Sequence, residues 1–152
     1  LWALDPGRST LSETVLYTAH YARNYLSEQG LNLLLDMDAS WPAMELTMEQ
    51  RRNSFLVVKE ALHNVVKHAR ATQVRLRMTM SDGLMVEIAD NGRGVPHAHS
   101  ASAGNGLRNM RKRIEAISGR FEMEQASGTV VRFSIPIVPS VENVRSIAHV
   151  HA

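Results

Sequence analysis

The sequence contains no cysteine, few aromatic residues and almost no net charge. Without cysteine, disulfides, thiolate catalysis and cysteine-type zinc sites are excluded. Lys and Arg (17) nearly balance Asp and Glu (15), and a net charge of +2 is too small to indicate a nucleic-acid or membrane surface. The longest apolar runs, such as residues 33–35, are too short to span a membrane, and no signal peptide is visible. We therefore expect a cytoplasmic domain, which leaves open whether the parent protein is membrane-anchored.

The composition indicates one compact domain. Hydrophobic residues make up 44% and charged residues 21% of the 152 positions, which are globular values. A chain of this length can bury most of its surface around one core. We expect residues 10–138 to form this domain, residues 1–9 to end a preceding segment and residues 139–152 to form a tail. Because the first residue is Leu1 rather than Met, we expect the chain to be part of a longer protein.

Hydrophobic periodicity and turn residues predict the order of the elements. A Thr-x-x-Glu pattern begins a helix at residue 10, which Gly30 ends. The other predicted elements are a strand from Leu31, a helix over 47–69, a hairpin of 73–80 and 84–90, a helix over 107–118 that Gly119 ends, and a hairpin within 120–137. Residues 94–106 are predicted to be irregular and mobile. The order indicates a two-layer α/β sandwich, with helices on one face of a mixed, mostly antiparallel sheet.

The second predicted helix has two chemically different faces. At about 100° per residue, one face carries only apolar residues and the other carries four polar ones. The apolar face consists of Phe55, Val58, Leu62, Val65, Val66 and Ala69, and the polar face of Glu60, Asn64, Lys67 and His68. The apolar face is expected to pack on the sheet. Taken alone, the polar face is most simply a solvated surface.

The segment "IADNGRG" at 88–94 follows an alternating strand and does not lead directly into another one. A tight hairpin would explain Asn91 and Gly92 but not Asp90, Arg93 and Gly94. A carboxylate at a strand end can accept a hydrogen bond from an exocyclic amine, and glycines allow a ligand to approach the backbone. A second cluster, "GNG" at 104–106, precedes the predicted third helix, where either an anion site or a flexible linker is expected.

In combination these segments resemble the GHKL ATPases, the superfamily of histidine kinases, gyrase, Hsp90 and MutL, which bind ATP in a Bergerat fold. "EALHNVVKH" (60–68) resembles the N box, "DNGRG" (90–94) the G1 box and "GNGLRNM" (104–110) the G2 box. "SGTVVRFSIPI" (127–137) resembles the closing Gly-Thr strand. The resemblance covers about residues 31–137. No P-loop pattern is present.

The resemblance implies a role for each matched residue. Asn64 would coordinate Mg²⁺, Glu60 would be the polarising carboxylate, and Asp90 would bind the adenine amine. Lys67 and His68 would lie toward the phosphates, and residues 95–103 would form a lid over the nucleotide. The remaining nucleotide-binding positions implied are Gly92 and Gly94 at the base, Gly104, Gly106 and Leu107 toward the phosphates, and Thr129 beside the adenine.

The subtype is also indicated. "EALHNVVKHA" and "GLRNMRKRIEAISG" are similar to sensor histidine kinases that pair with LuxR/NarL-type response regulators, and "WALDP" at 2–6 resembles the end of a dimerisation helix. The resemblance thus implies transfer of the γ-phosphoryl group of Mg-ATP to a histidine on a separate dimerisation domain. Such a domain contacts neither nucleic acid nor membrane. His20 lacks the acidic residue that usually follows a phosphoacceptor.

Two other functions stay open. The three boxes are shared with serine kinases of the anti-sigma-factor type, against which the subtype motifs weigh. A nucleotide-binding or interaction module without catalysis would not need both Glu60 and Asn64.

Two positions depart from the family pattern: His63, where a small polar residue is commoner, and Ser127, where glycine is frequent. The pairs His97/His99 and His149/His151 are weak candidates for metal binding, because neither has a nearby third ligand.

Overall fold

The computed structural model describes residues 10–93 and 100–137, with side-chain detail in the last helix from residue 105 onward. The helices are α1 (Leu11–Glu28), α2 (Met48–Asn64) and α3 (Ser100–Glu115), and α2 continues directly into a π-helical turn, Val65–Ala69. The strands are β1 (Asn32–Met37), β2 (Gln73–Met80), β3 (Leu84–Asp90), β4 (Arg120–Gln125) and β5 (Thr129–Ile135). The predicted linker (1–9) and tail (139–152) lie outside the described residues.

The first two helices begin at reciprocal capping boxes. The Thr10 hydroxyl accepts from the Glu13 N–H at 3.1 Å, and Thr47 accepts from the Gln50 N–H at 3.0 Å. In return, the side chains of Glu13 and Gln50 accept from the backbone of the capping residues. These contacts satisfy N–H groups that have no partner within the helix, so the sequence signals fix where α1 and α2 start.

The five strands form one sheet in the order β1-β2-β3-β5-β4. Only β1 and β2 pair in parallel, and the other three pairs are antiparallel. The core lies between this sheet and the helices, and its fully buried members include Leu62, Ile88, Met110, Ile114 and Phe133. The predicted two-layer α/β sandwich is therefore confirmed. Phe55 departs from the predicted packing, because its ring packs against Tyr17 and Tyr21 of α1.

A row of alternating charges crosses the sheet on its outer face. Strand register places Asp36, Arg77, Glu87, Arg132 and Glu122 side by side, one from each strand. Arg77 Nε lies 2.8 Å from Asp36 Oδ2, and Arg132 Nε lies 3.0 Å from Glu87 Oε2. Opposite charges in direct cross-strand register stabilise a pairing, so this row helps to fix the register of the sheet.

The prediction of an irregular segment over 94–106 is wrong for its second half. Residues 100–106 belong to α3, so the helix begins at Ser100 rather than at residue 107. Ala101 and Ala103 are strong helix formers, and the helix extends back from the segment that buries Met110 and Ile114. The predicted end is nearly right: α3 ends at Glu115, and the Gly119 N–H closes it by donating to the Ile114 carbonyl at 2.9 Å.

The described part of the chain has no membrane-spanning candidate. None of the helices within 10–93 and 100–137 combines the length and the apolar character that a crossing requires.

Candidate functional site

A cavity lies between the helices and the inner face of the sheet. Its walls are mostly apolar and come from α2, its π-helical turn, β3, β4, β5 and α3. The lining residues are Ala61, Asn64, Val65, His68, Ala69, Ile88, Asp90, Leu107, Met110, Met123, Thr129 and Val131. An apolar slot with a few polar groups suits a flat heterocycle with exocyclic polar atoms.

Two buried polar groups lie in this cavity at strand ends. Asp90 closes β3 and is 9% exposed, and its Oδ1 accepts a hydrogen bond from the Gly92 N–H at 2.8 Å. Thr129 opens β5 and is 8% exposed, and its hydroxyl has no hydrogen-bond partner in the part of the chain that the structure describes. A buried hydroxyl without a partner is costly. The site therefore fits a ligand that supplies hydrogen bonds at this point.

The loop after β3 is attached to the end of α2 by its backbone. The Arg93 N–H donates to the Ala69 carbonyl at 2.8 Å, and Arg93 Nε donates to the His68 carbonyl at 3.3 Å. A Cβ atom at Gly92 would overlap the same Ala69 carbonyl, so only glycine permits this approach. Asp90 is thereby held in a constant position relative to the π-helical turn.

Asn91 has a structural part in this loop. Its Oδ1 accepts from the backbone N–H groups of Thr72 and Gln73, each at 3.0 Å, and its Nδ2 donates to the Thr72 hydroxyl at 2.9 Å. These bonds tie the end of β3 to the beginning of β2. The "DNGR" segment is thus not a hairpin turn. It places Asp90 in the cavity lining, and its Asn91 bonds the end of β3 to the residues at the start of β2.

The polar face of α2 is divided between the cavity and a neighbouring groove. Asn64 and His68 are half-buried and line the cavity. Glu60 is exposed and lines the groove between α2 and α3, together with Gly106. A Cβ atom at Gly106 would lie 2.9 Å from Glu60 Oε1 and 3.8 Å from Asn64 Nδ2. Lys67 is exposed and is not part of the cavity lining.

The helix widens at this face. Residues Val65–Ala69 form a π-helical turn, and Arg70 follows in the left-handed conformation with φ of 50°. Single π turns are rare and occur frequently at functional sites, because they shift the direction of side chains relative to a regular α-helix. Here the turn begins directly after Asn64 and contains His68, and both of these residues line the cavity.

His63 lies on α2 between Glu60 and Asn64 and is held by two tyrosines of α1. Its Nε2 is 3.1 Å from the Tyr21 hydroxyl, and its ring stacks on that of Tyr25 with centroids 4.5 Å apart and planes at 6°. Burial, and next the charge of Lys59, lower the pKa of His63. Burial also raises the pKa of Tyr21. The lowered pKa favours the neutral imidazole, whose Nε2 can accept a hydrogen bond from the Tyr21 hydroxyl when the ring proton is on Nδ1.

The glycine cluster at 104–106 does not stand at a helix N-terminus. Gly104 and Gly106 lie within α3, four or more residues after it begins at Ser100, so their N–H groups are not the free first-turn donors expected of a junction. Gly94, much of the predicted lid and the pairs His97/His99 and His149/His151 fall outside the described residues. Within the described residues no group of three or more His, Asp or Glu side chains is placed to hold a metal ion.

Sequence reasoning missed Gly128 and the apolar walls. The backbone of Gly128 packs against Asp90, and a Cβ atom there would overlap the Asp90 carbonyl oxygen. The Gly-Thr pair preceding the last strand was a signal for it. The walls formed by Val65, Ile88 and Met110 read as ordinary core positions, because periodicity does not distinguish a residue that lines a cavity from one that fills it.

The fold is an α/β sandwich with a cavity between its helices and its sheet. The family model described as "Histidine kinase-, DNA gyrase B-, and HSP90-like ATPase" matches residues 50–139. The chain belongs to this family. All three predicted sequence boxes fall within the matched residues.

Individual relatives agree with this family. The kinase/phosphatase UhpB of Salmonella typhimurium is 40% identical over 125 residues, which are 80% of this chain and 25% of UhpB. The chain thus spans about a quarter of that relative's length. The histidine kinase domain of the Erythrobacter litoralis blue-light activated kinase has a similar fold, with a TM-score of 0.67 and 24% identity over 82% of this chain and 61% of that one. The catalytic domain of histidine kinase ThkA has a TM-score of 0.67 and 18% identity over 90% of this chain and 100% of that one.

Proposed function

We propose that the chain is the ATP-binding catalytic domain of a two-component sensor histidine kinase. In this function it binds Mg-ATP and transfers the γ-phosphoryl group to a histidine on a separate dimerisation domain. The observation that carries the proposal is the pairing of a buried carboxylate, Asp90, with the buried hydroxyl of Thr129, which has no hydrogen-bond partner among the described residues, in an apolar cavity. Family membership supplies the reaction class.

The cavity would hold the adenine. Gly92 fixes one oxygen of Asp90, so the carboxylate is oriented to accept a hydrogen bond from the exocyclic amine. Thr129 would complete the polar contacts of the base, and its hydroxyl would then gain the hydrogen-bond partner that it lacks within residues 10–93 and 100–137. Apolar walls such as Ile88 and Met110 would enclose the faces of the ring. Burial of the base excludes water and strengthens these hydrogen bonds.

The phosphates would extend from the cavity toward α2 and α3. The amide oxygen of Asn64 would be a ligand of Mg²⁺, an ion that retains waters and phosphate oxygens and needs few protein ligands. When bound, this ion neutralises charge on the transferred phosphoryl group. Lys67 and His68 would lie on the phosphate side, and Gly104, Gly106 and Leu107 would border it from α3.

Glu60 would position the acceptor. A neutral imidazole offers a ring nitrogen with a free lone pair to the γ-phosphorus, so no proton need be removed from that atom before attack. Glu60 would accept a hydrogen bond from the N–H on the other side of the ring and orient it. A serine acceptor would instead require Glu60 to act as a true base.

The partners follow from this function. The acceptor histidine would belong to a dimerisation domain of the same kinase, and a LuxR/NarL-type response regulator would receive the phosphoryl group. Support comes from the subtype motifs and from UhpB, which is named a histidine-protein kinase/phosphatase. Direct contact of this domain with nucleic acid or with a membrane is not part of the proposed function.

Calorimetry of ATP binding, with and without Mg²⁺, tests the proposal on the 152-residue chain. The wild type is expected to bind Mg-ATP, Asp90→Ala to lose binding, and Asn64→Ala to bind ATP without Mg²⁺ dependence. Asp82→Ala in the exposed β2–β3 turn and Asn24→Ala on the exposed side of α1 are matched controls that should bind as the wild type does. Absence of wild-type binding, or binding indifferent to both site variants, would favour an interaction module.

A further inference from the structure

We propose that His63 is a positioning residue, through which α1 holds the catalytic face of α2 in place. The inference rests on the proposed function, because the face it positions carries Glu60 and Asn64. His63 lies three residues after Glu60 and immediately before Asn64, so any rotation or fraying of the last α-helical turn displaces both side chains. The imidazole itself is not part of the cavity lining.

The clamp on His63 consists of stacked rings from α1. Tyr21 and Tyr25 stack on each other with centroids 5.9 Å apart and planes at 7°. Tyr25 also stacks on the imidazole, while the Tyr21 hydroxyl bonds to its Nε2. Phe55 of α2 meets the edge of Tyr21 with centroids 5.1 Å apart. The ring of His63 is therefore fixed by one hydrogen bond and one stacking contact, both from the same neighbouring helix.

The contact between His63 and α1 lies where the regular α-helical hydrogen bonding of α2 ends. Directly after Asn64 the regular α-helical hydrogen bonding gives way to the π turn of Val65–Ala69. A π turn is less stable than an α-helical one and persists when surrounding contacts determine it. At the end of the turn, the Arg93 N–H donates a hydrogen bond to the Ala69 carbonyl. Before its start, Tyr21 and Tyr25 of α1 contact the ring of His63. Contacts with other segments of the chain thus stabilise the π turn at its end and just before its start.

The groove beside this clamp opens toward Glu60. His63 lines it together with Lys59, Glu60 and Gly106. A side chain as short as that of serine at position 63 would reach neither tyrosine. In this chain α1 therefore takes part in setting the catalytic face, in addition to covering the sheet.

Amide hydrogen exchange of the nucleotide-free chain tests the clamp independently of ATP. Tyr21→Phe removes the hydroxyl and keeps the ring, and His63→Ala removes both contacts. Exchange at residues 65–69 should accelerate about three- to tenfold in either variant, as expected for one lost hydrogen bond. Tyr17→Phe, which makes the same chemical change one turn earlier on α1, should leave these rates unchanged. Unchanged rates in both Tyr21→Phe and His63→Ala would overturn the proposal.

Ligand binding separates positioning from simple stabilisation. Both variants should raise the Mg²⁺ concentration for half-maximal ATP binding about three- to tenfold, while ADP affinity without Mg²⁺ stays within about twofold of the wild type. Because both act through one contact, Tyr21→Phe should add nothing in the His63→Ala background. His63→Gln, whose amide oxygen can accept from Tyr21, should partly restore the Mg²⁺ dependence.

The contrary results are distinct. Equal loss of ADP and Mg-ATP binding, or additive effects of the two substitutions, would reduce His63 to a stabilising residue and overturn the proposal. A wild-type chain that binds no nucleotide would overturn the proposed function, and the inference about Mg²⁺ with it.

Discussion

The backbone of Gly128 packs directly against Asp90, so the start of β5 fixes the end of β3 at the cavity. A Cβ atom at position 128 would overlap the Asp90 carbonyl oxygen and lie 3.1 Å from its Oδ1. No side chain rearrangement relieves an overlap with backbone. Gly128 and Asp90 are therefore packed against each other, although they lie far apart in the sequence.

Gly128→Ala should weaken both folding and nucleotide binding. Forcing a methyl group into packed backbone costs about 1–3 kcal/mol of stability, and displacement of Asp90 should lower ATP affinity about tenfold, the cost of one misplaced hydrogen bond. Thermal unfolding and calorimetry measure the two effects. Gly119→Ala is the matched control: its Cβ would lie 2.5 Å from the Ser134 carbonyl, so it should destabilise without changing the affinity of the folded protein. Equal affinities for the two variants would contradict this prediction.

Thr129→Val should move stability and binding in opposite directions. The substitution removes a buried hydroxyl without a partner in the described chain, so the free energy of unfolding should rise by about 1 kcal/mol. The same change removes a proposed contact of the adenine, and affinity should fall about five- to tenfold. Thr18→Val is the control, because the Thr18 hydroxyl donates to the Thr14 carbonyl at 2.8 Å. That variant should lose stability and keep its affinity.

Stability should depend on Glu87 in the acid range. Although its burial acts in the opposite direction, hydrogen bonds from Arg132 and Arg75 hold the pKa of Glu87 below its usual value of 4.5. A carboxyl whose pKa is lower in the folded state stabilises the protein above its unfolded pKa and loses that contribution as the pH falls. The difference in unfolding free energy between wild type and Glu87→Gln should therefore shrink as the pH falls below 4.5 toward the folded value. A difference that stays constant across the acid range would contradict this prediction.

The isolated chain should bind ATP without labelling itself appreciably. The phosphoacceptor is proposed to lie on a separate domain, and His20 is on the exposed side of α1, outside the cavity lining. The measurement is incubation with γ-labelled ATP and Mg²⁺, after which the label that stays on the protein is counted separately following acid treatment and base treatment. Labelling at a rate typical of complete kinases would place an acceptor within these 152 residues.

Local sequence signals predicted those elements whose ends are encoded nearby. The hairpin of 73–80 and 84–90 was located to the residue, because alternating apolar positions flank the turn residues Ser81, Asp82 and Gly83. The start of helix α1 was also predicted, since its capping box lies within its own first turn. The start of α3 was missed, because two glycines suggested a break that packing further along the helix overrides.

Contacts between distant segments could not be predicted in this way. The sequence predicted that Asp90 and the polar face of α2 belong to one site, but only through resemblance to a family. It did not predict the π turn, the stacking of Tyr25 on His63 or the approach of Gly92 to Ala69. Each of these depends on tertiary packing, for which no local pattern of residues is a signal.

The charge row on the outer face of the sheet also affects the electrostatic field around the domain. Its three carboxylates and three guanidinium groups, with Arg75 included, pair and cancel one another. Within residues 105–115, α3 carries four basic side chains and one acidic one. The outer face of the sheet therefore contributes little to the long-range electric field of the domain, whereas this part of α3 contributes a net positive charge.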